Sequence, residues 1–386
     1  MKIDIIAAAL PPRLDGIGDY TANIARELAR SAQVRILTAQ GQNPAPIQNV
    51  EVLRAFNIEA RSSVHGITQT VKDAGPDWLV LQYNPFSYGK WGFNPALPRA
   101  IRNSIRETGT RFALMIHEAY VPVTSWKTGL MTIWQRWQWR SLCRSAEVVF
   151  TSVQGYAERV RDAFPKKRVV HLPVGSNVDI CPIGRSEARE RLGIAEDTVV
   201  LGLFGSSHPS RSIEPVRASV DVLTAEGRNA VLLYIGPNEV EIRSELGGRP
   251  VLAEGPLPPD EVSRRFAAMD IYLAPFSDGV STRRTSFMTA LQHGRSVVGT
   301  DGPLTDSILK SADGSAFLLA DSGNSEEFAV LVQRLAASAD IRAEFGDRAA
   351  VLYAQEFDWP TITTRMINAI RLESEVRPLK NGIENG

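Results

Sequence analysis

The sequence predicts an α/β chain of two Rossmann-like, doubly wound domains, and three observations carry that expectation. Short apolar runs alternate with helical patterns from Ile3 to Pro173. The alternation begins again at Val199 and runs through an apolar stretch at Ile271 to Ala274, so the second half repeats the class of the first. Between the halves, the stretch from Ile180 to Asp197 is rich in charge and carries Pro182 and Gly184, the composition of a domain boundary.

Composition narrows the class further. A length of 386 residues suggests two or three domains, and 44% hydrophobic with 22% charged residues is ordinary globular protein. The 43 Lys and Arg balance the 43 Asp and Glu, so no global basic footprint for nucleic acid exists. Cys143 and Cys181 make no disulfide framework and stand in no metal-ligand spacing; no metal ligand is assigned. The opening MKIDIIAAALPPR has an apolar stretch of one strand's length, broken by Asp4 and ended by Pro11 and Pro12. It fits neither a signal peptide nor a membrane span, and a cytoplasmic location is expected.

The first strand covers Ile3 to Leu10, and PPRLDGIG forms a loop. Gly18 or Asp19 then opens a helix with Tyr20, Ile24 and Leu28 on its apolar face, and Val34 to Leu37 supplies the next strand. Gly16 and Gly18 could bring backbone N–H groups close to a phosphate or sugar, although a tight turn gives the same pattern and the third glycine of a dinucleotide fingerprint is missing. Trp78 to Tyr83 is a strand followed by NPFSYGKWGFNP, a loop dense in aromatics. Phe112 to Ile116 is a strand ending on two titratable groups, His117 and Glu118.

Trp126 to Arg144 reads as a helix holding four of the seven tryptophans, and residues 121 to 168 carry nine Lys or Arg against three Asp or Glu. Trp and Arg on one helix suggest a weak peripheral membrane contact. The spacing of Trp134 and Trp137 suggests instead a core helix that buries those two rings. Glu147 to Ser152 and Arg168 to Pro173 are strands. In the second half, strands at Val199 to Gly205, Val231 to Ile235, Val251 to Glu254 and Ile271 to Ala274 alternate with helices over 213 to 226 and 260 to 268. Asp358 and Pro360 start a last helix with Ile362, Met366 and Ile370 on one face. These readings give domains at 1–178 and 179–358, a closing helix at 359–373 and a disordered tail at 374–386.

The stretch PFSDGVSTRRTSFMTALQHGRSVVGT, beginning at Pro275, reads as a polar loop between a strand and a helix. It brings Asp278, Ser281, Thr282, Arg283, Arg284 and Thr285 to a helix amino end, where unpaired N–H groups favour an anion. A solvated helix start with two arginines would give the same pattern.

Five segments then resemble family 4 of the GT-B glycosyltransferases. They are PPRLDGIGDYTANIARELA, FALMIHE, VVHLPVGSNVD, FGSSHPSRS and ALQHGRSVVGTD, in that order over nearly the whole chain. The resemblance implies two Rossmann-like domains facing a cleft, with the last helix crossing back to the amino-terminal domain. It implies a metal-independent enzyme that moves a sugar from a nucleotide diphosphate sugar, with retention, and needs no further cofactor. The acceptor would be a glycan, a lipid-linked or a small molecule. His117, Arg211, Arg283 and Arg284 form the implied catalytic set. Gly16, Gly18, Asp19, Glu118, Ser206, Asp278, Gly279, Val280, Ser281, Thr282 and Thr285 form the implied substrate contacts.

The chain departs from the family in two places. Ser281 and Thr289 stand where two glutamates are usual, and Ser206 replaces the usual Arg five residues before Arg211, a space Arg283 or Arg284 is expected to fill. A non-catalytic nucleotide-sugar binder and a sugar-nucleotide epimerase share the architecture. The epimerase would need paired acid and base carboxylates, of which the central loop offers Asp278.

Overall fold

The computed structural model describes residues 1–13, 15–41, 43–58 and 65–376. The chain divides into two compact units, residues 1–173 with the segment from Trp359 onward, and residues 174–358. In the first unit the elements run β1 (Lys2–Ala7), α1 (Gly16–Leu28), β2 (Gln33–Ala39), β3 (Val50–Phe56), α2 (His65–Ala74) and β4 (Trp78–Tyr83). They continue through α3 (Ala96–Thr108), β5 (Arg111–Ile116), α4 (Trp126–Ser145), β6 (Val148–Thr151), α5 (Gln154–Ala163) and β7 (Arg168–His171). The seven strands form one parallel sheet in the order β3-β2-β1-β4-β5-β6-β7.

The second unit begins with α6 (Arg185–Leu192), β8 (Val199–Phe204), α7 (Glu214–Ala225), β9 (Ala230–Ile235), α8 (Glu239–Leu246), β10 (Val251–Glu254) and α9 (Pro259–Ala268). It continues with β11 (Ile271–Ala274), α10 (Thr285–Gln292), β12 (Ser296–Asp301), α11 (Ser307–Ala312), β13 (Leu318–Asp321), α12 (Ser325–Ala336) and α13 (Ala339–Glu356). Its six strands are also parallel, ordered β10-β9-β8-β11-β12-β13. In both sheets the order reverses once, between β1 and β4 and between β8 and β11, and loops that leave on opposite sides there open a crevice at the strands' carboxyl ends.

Helices cover both faces of a parallel sheet, so its central strands read as continuous apolar runs. Every residue of β4, β5 and β11 is buried, which is why those strands were visible in the sequence. The expected boundary at 178 is corrected to 173. The Val174 amide donates to the Thr282 carbonyl at 2.9 Å, and the Ser176 amide to the Tyr353 hydroxyl at 3.0 Å, so both belong to the second unit. The expected linker at Ile180 to Asp197 contains α6.

The last helix, α14 (Trp359–Val376), packs on α1, with the Trp359 and Tyr20 rings edge to face at 5.4 Å. It runs past its expected end at Glu373, because the Ser374 hydroxyl receives the Trp78 indole N–H at 3.3 Å and keeps that turn on the sheet. The rest of the expected tail, 377–386, lies outside the described residues. Among the described residues, no helix is long and apolar enough to cross a membrane.

Candidate active site

In the second unit, the loops after β8 and β11 leave at the reversal of strand order and are laced together. Arg211 and Phe276 form an antiparallel bridge, the Ser212 amide donates to the Pro275 carbonyl at 2.9 Å, and the Ser277 amide to the Ser210 carbonyl at 2.7 Å. This lacing brings two guanidinium groups, those of Arg283 and Arg284, onto the Asp278 carboxylate. Arg284 Nη2 donates to Asp278 Oδ1 at 2.7 Å and to Ser210 Oγ at 2.7 Å, and its guanidinium lies 4.2 Å from the centre of the Phe276 ring. Arg283 Nη2 reaches Asp278 Oδ2 at 3.3 Å.

Burial first, and then the neighbouring Arg283, lower the Arg284 pKa to about 10 against the pull of Asp278, so Arg284 stays charged at neutral pH under like-charge stress. An anion placed there would relieve that stress. Arg284 is also the N-cap residue of α10, and its side chain makes no capping bond to the first turn. The amino end of α10 therefore offers backbone N–H donors beside the arginines. His208, on the β8 loop, accepts the Ser210 amide on Nδ1 at 3.1 Å. Partial burial and then the charges of Arg284 and Arg283 press its pKa down to about 4, which keeps it neutral. Sequence reading passed over His208 and Phe276, although FGSSHPSRS and PFSD contained both.

Several expected contacts have other duties. Arg211 spends Nη1 on the Gly205 carbonyl at 3.0 Å and Nη2 on the Phe204 carbonyl at 2.7 Å, so it shapes the loop. Ser206 is exposed. Gly279 has φ +83°, and a Cβ there would meet Thr305 Oγ1 at 2.2 Å, so this glycine serves a tight approach of two loops. Val280, Ser281 and Thr282 are fully buried, which corrects the expectation that they contact substrate. The Thr282 amide and hydroxyl both donate to Asp306 Oδ2, at 2.7 and 2.8 Å. Thr289 is fully buried as well, with its hydroxyl on the Thr285 carbonyl, so neither position of the usual glutamates presents a side chain to a ligand. Thr285 is the half-buried first residue of α10.

In the first unit the helix starts earlier than expected. Asp15 caps α1, accepting the Ile17 amide at 3.0 Å and the Gly18 amide at 2.7 Å, so the Gly18 N–H is already committed. A Cβ on Gly18 would meet the Ala9 carbonyl at 2.9 Å, which is the physical reason for a glycine there. Gly16 is exposed, and a Cβ on it would meet nothing within 4 Å. Asp19 lies half-buried in the first turn of α1.

His117 follows β5 and is buried, its Nε2 at 2.8 Å from Gln82 Oε1 and its ring 4.9 Å from Tyr20. With Nε2–H donating to Gln82, Nδ1 keeps a lone pair and the imidazole acts as an acceptor. Burial lowers its pKa to about 3. Glu118 accepts the Asn84 side-chain amide at 3.3 Å.

This burial links stability to pH. His117 and His293, the latter lowered by burial to about 4, are neutral in the native chain over a range where an unfolded chain would protonate them near the ordinary 6.5. The unfolded state binds more protons there, so stability falls as pH drops below about 6.5, by roughly 1.4 kcal/mol per pH unit for each group. Thermal melts at pH 7 and pH 5 should show the lower midpoint at pH 5. A smaller drop in His117→Asn would assign its share, and equal midpoints in the wild type would refute the neutral buried state.

Comparison with known proteins bears on the fold. Residues 15–175 match a family model described as a glycosyl transferase 4-like domain. Sucrose-phosphate synthase from Thermosynechococcus elongatus matches with a TM-score of 0.74 at 15% identity, over 97% of this chain and 100% of that one. The fold is that of GT-B glycosyltransferases. Anabaena HepE, solved with UDP and glucose, matches this GT-B chain with a TM-score of 0.69 at 16% identity, over 96% of it and 100% of HepE. WaaG, a glycosyltransferase involved in lipopolysaccharide biosynthesis, gives 0.67 at 15% identity, over 98% and 100%. Curated proteins give no match.

Proposed function

We propose that the chain is a glycosyltransferase that moves a sugar from a nucleoside diphosphate donor to an acceptor hydroxyl. The observation that carries this reading is the start of α10, which no side chain caps, beside the guanidinium groups of Arg283 and Arg284. Negative charge builds on the departing diphosphate as the C1 bond opens, and preorganised cations and N–H donors meet that charge without reorganising. HepE, which shares the fold, binds UDP and glucose, and this agrees with a diphosphate ligand.

In this reading Arg283 and Arg284 hold the diphosphate, Arg211 sets the shape of the loop, and neutral His117 accepts a hydrogen bond from the donor sugar. Transfer proceeds with retention, the leaving phosphate taking the acceptor proton. The low basicity of His117 supports this, because a group with a pKa of about 3 is a poor base at neutral pH. The acceptor is a glycan, a lipid-linked sugar or a small hydroxyl compound.

A thermal-shift series with UDP, GDP, ADP and their sugars tests the donor site. A nucleotide at a hundred times its dissociation constant should stabilise the chain by roughly 2.7 kcal/mol. No shift with any nucleoside diphosphate would refute the reading. The enclosed positions of Ser281 and Thr289 favour one other reading, a nucleotide-sugar binder without transfer. Binding without nucleoside diphosphate release across a broad acceptor panel would select it.

A further inference from the structure

His208 is fixed on one side of its ring and open on the other. It stands on the loop after β8 with the ring exposed, and its Nδ1 lies 3.1 Å from the Ser210 amide nitrogen and 2.7 Å from Ser210 Oγ. A backbone N–H can only donate, so Nδ1 carries the lone pair and the proton sits on Nε2. Ser210 Oγ also receives Arg284 Nη2 at 2.7 Å, which leaves the hydroxyl hydrogen for Nδ1. The bonds therefore run one way, from Arg284 to Ser210 to His208. Nε2–H ends the series, and among the described residues no hydrogen bond takes it up.

The rest of the loop is otherwise engaged. Ser207 gives its amide to Asn238 Oδ1 at 2.8 Å and its hydroxyl to Glu241 Oε2 at 3.1 Å, at the start of α8. Pro209 has no N–H, and both Nη groups of Arg211 hold carbonyls. Of the two nitrogen-bearing side chains between Gly205 and Arg211, only that of His208 faces away from the fold with a donor to give. Arg284 adds a second spare donor, since its buried Nε has no partner among the described residues. Burial, then Arg284 and Arg283, and lastly Arg211 oppose a charge on the His208 ring, with Asp278 alone pulling the other way. The same guanidinium groups that disfavour an imidazolium attract an anion to its place.

We propose that His208 is a further residue of the donor site, its neutral Nε2–H donating to an oxygen of the donor diphosphate from a ring held by Ser210. The inference rests on the diphosphate reading of this site. A neutral donor suits a place beside two cations, because it adds a hydrogen bond without adding like charge. The contact is also insensitive to pH near neutrality. A proton on Nδ1 would break both bonds from Ser210, so the ring keeps one tautomer while the loop keeps its shape.

The test is calorimetric titration of the full chain with UDP, GDP and ADP at pH 6, 7 and 8. Two variants with wild-type melting midpoints separate the nitrogens. His208→Asn keeps an oxygen near the place of Nδ1 for Ser210 and loses the Nε2–H, and it should lower affinity about five- to tenfold. His208→Gln brings an amide nitrogen near the place of Nε2 and should stay within about threefold of the wild type. The ratio of wild-type to His208→Asn affinity should be the same at all three pH values. Wild-type affinity in His208→Asn, with the loss confined to His208→Gln, would show that the ring serves only Ser210 and would overturn the contact. A ratio that grows as pH falls to 6 would reveal an imidazolium and overturn the neutral donor. Both results presuppose binding by the wild type. No binding of any of the three nucleotides to it would instead refute the donor-site reading, and this inference with it.

Discussion

Arg284→Ala should lower affinity for a nucleoside diphosphate about ten- to a hundredfold, the loss expected when a charge-assisted contact worth roughly 1.5 to 3 kcal/mol is removed. Arg284 is placed for this role by three side-chain contacts and by its backbone position. Phe276 lies under its guanidinium, Ser210 and Asp278 fix its Nη2, and its backbone ends the loop at the start of α10. Each removes side-chain freedom before a ligand arrives, so little ordering cost remains to be met on binding. Arg284→Lys should fall between, because an ammonium keeps the charge and loses the planar fork. Alanine also leaves the Asp278 carboxylate with less compensation, so Arg284→Ala with Asp278→Asn separates the two effects. If the double variant recovers most of the affinity, the single loss came from Asp278 repulsion. Wild-type affinity in Arg284→Ala, measured by calorimetry, would sink the assignment.

His117→Ala should slow sugar transfer about a hundredfold or more while leaving affinity for the free nucleoside diphosphate unchanged. The split follows from where the residue sits. His117 belongs to the first unit and touches Gln82 and Tyr20, whereas the arginines belong to the second, so the diphosphate contacts do not pass through it. Its depressed pKa makes the rate independent of histidine titration between about pH 5 and 8, because no proton is gained or lost there. Gln82→Leu, which removes the acceptor that selects the Nε2–H tautomer, should reproduce part of the rate loss with the same untouched binding. An equal loss of binding and rate in His117→Ala would mean that the ring only holds the fold.

The parts of the chain that were legible in sequence share a physical cause. β4, β5 and β11 are buried on both faces, so their apolar runs are continuous and stand out against any background. The loop at 275–284 was legible for the opposite reason, a cluster of polar and charged residues that no strand or helix interior would tolerate. What the sequence alone determined was therefore the α/β class and the two repeated units, and it marked the loop to which the diphosphate site is proposed to belong. Tertiary structure decided everything that depends on which neighbour a side chain meets. Arg211, Arg283 and Arg284 look alike as letters. The carbonyls of Phe204 and Gly205 claim the first, and the other two converge on Asp278. Helix α4 shows the same limit, because periodicity tells which residues share a stripe and is silent on whether that stripe faces in. The carbonyls of Trp91 and Gly92 and the amides of Asn94 and Val121 needed partners, and Gln135 and Gln138 meet them on a buried face shared with Trp139, Leu142 and Cys143, which leaves Trp134 half-buried and Trp137 exposed where both were expected to be buried.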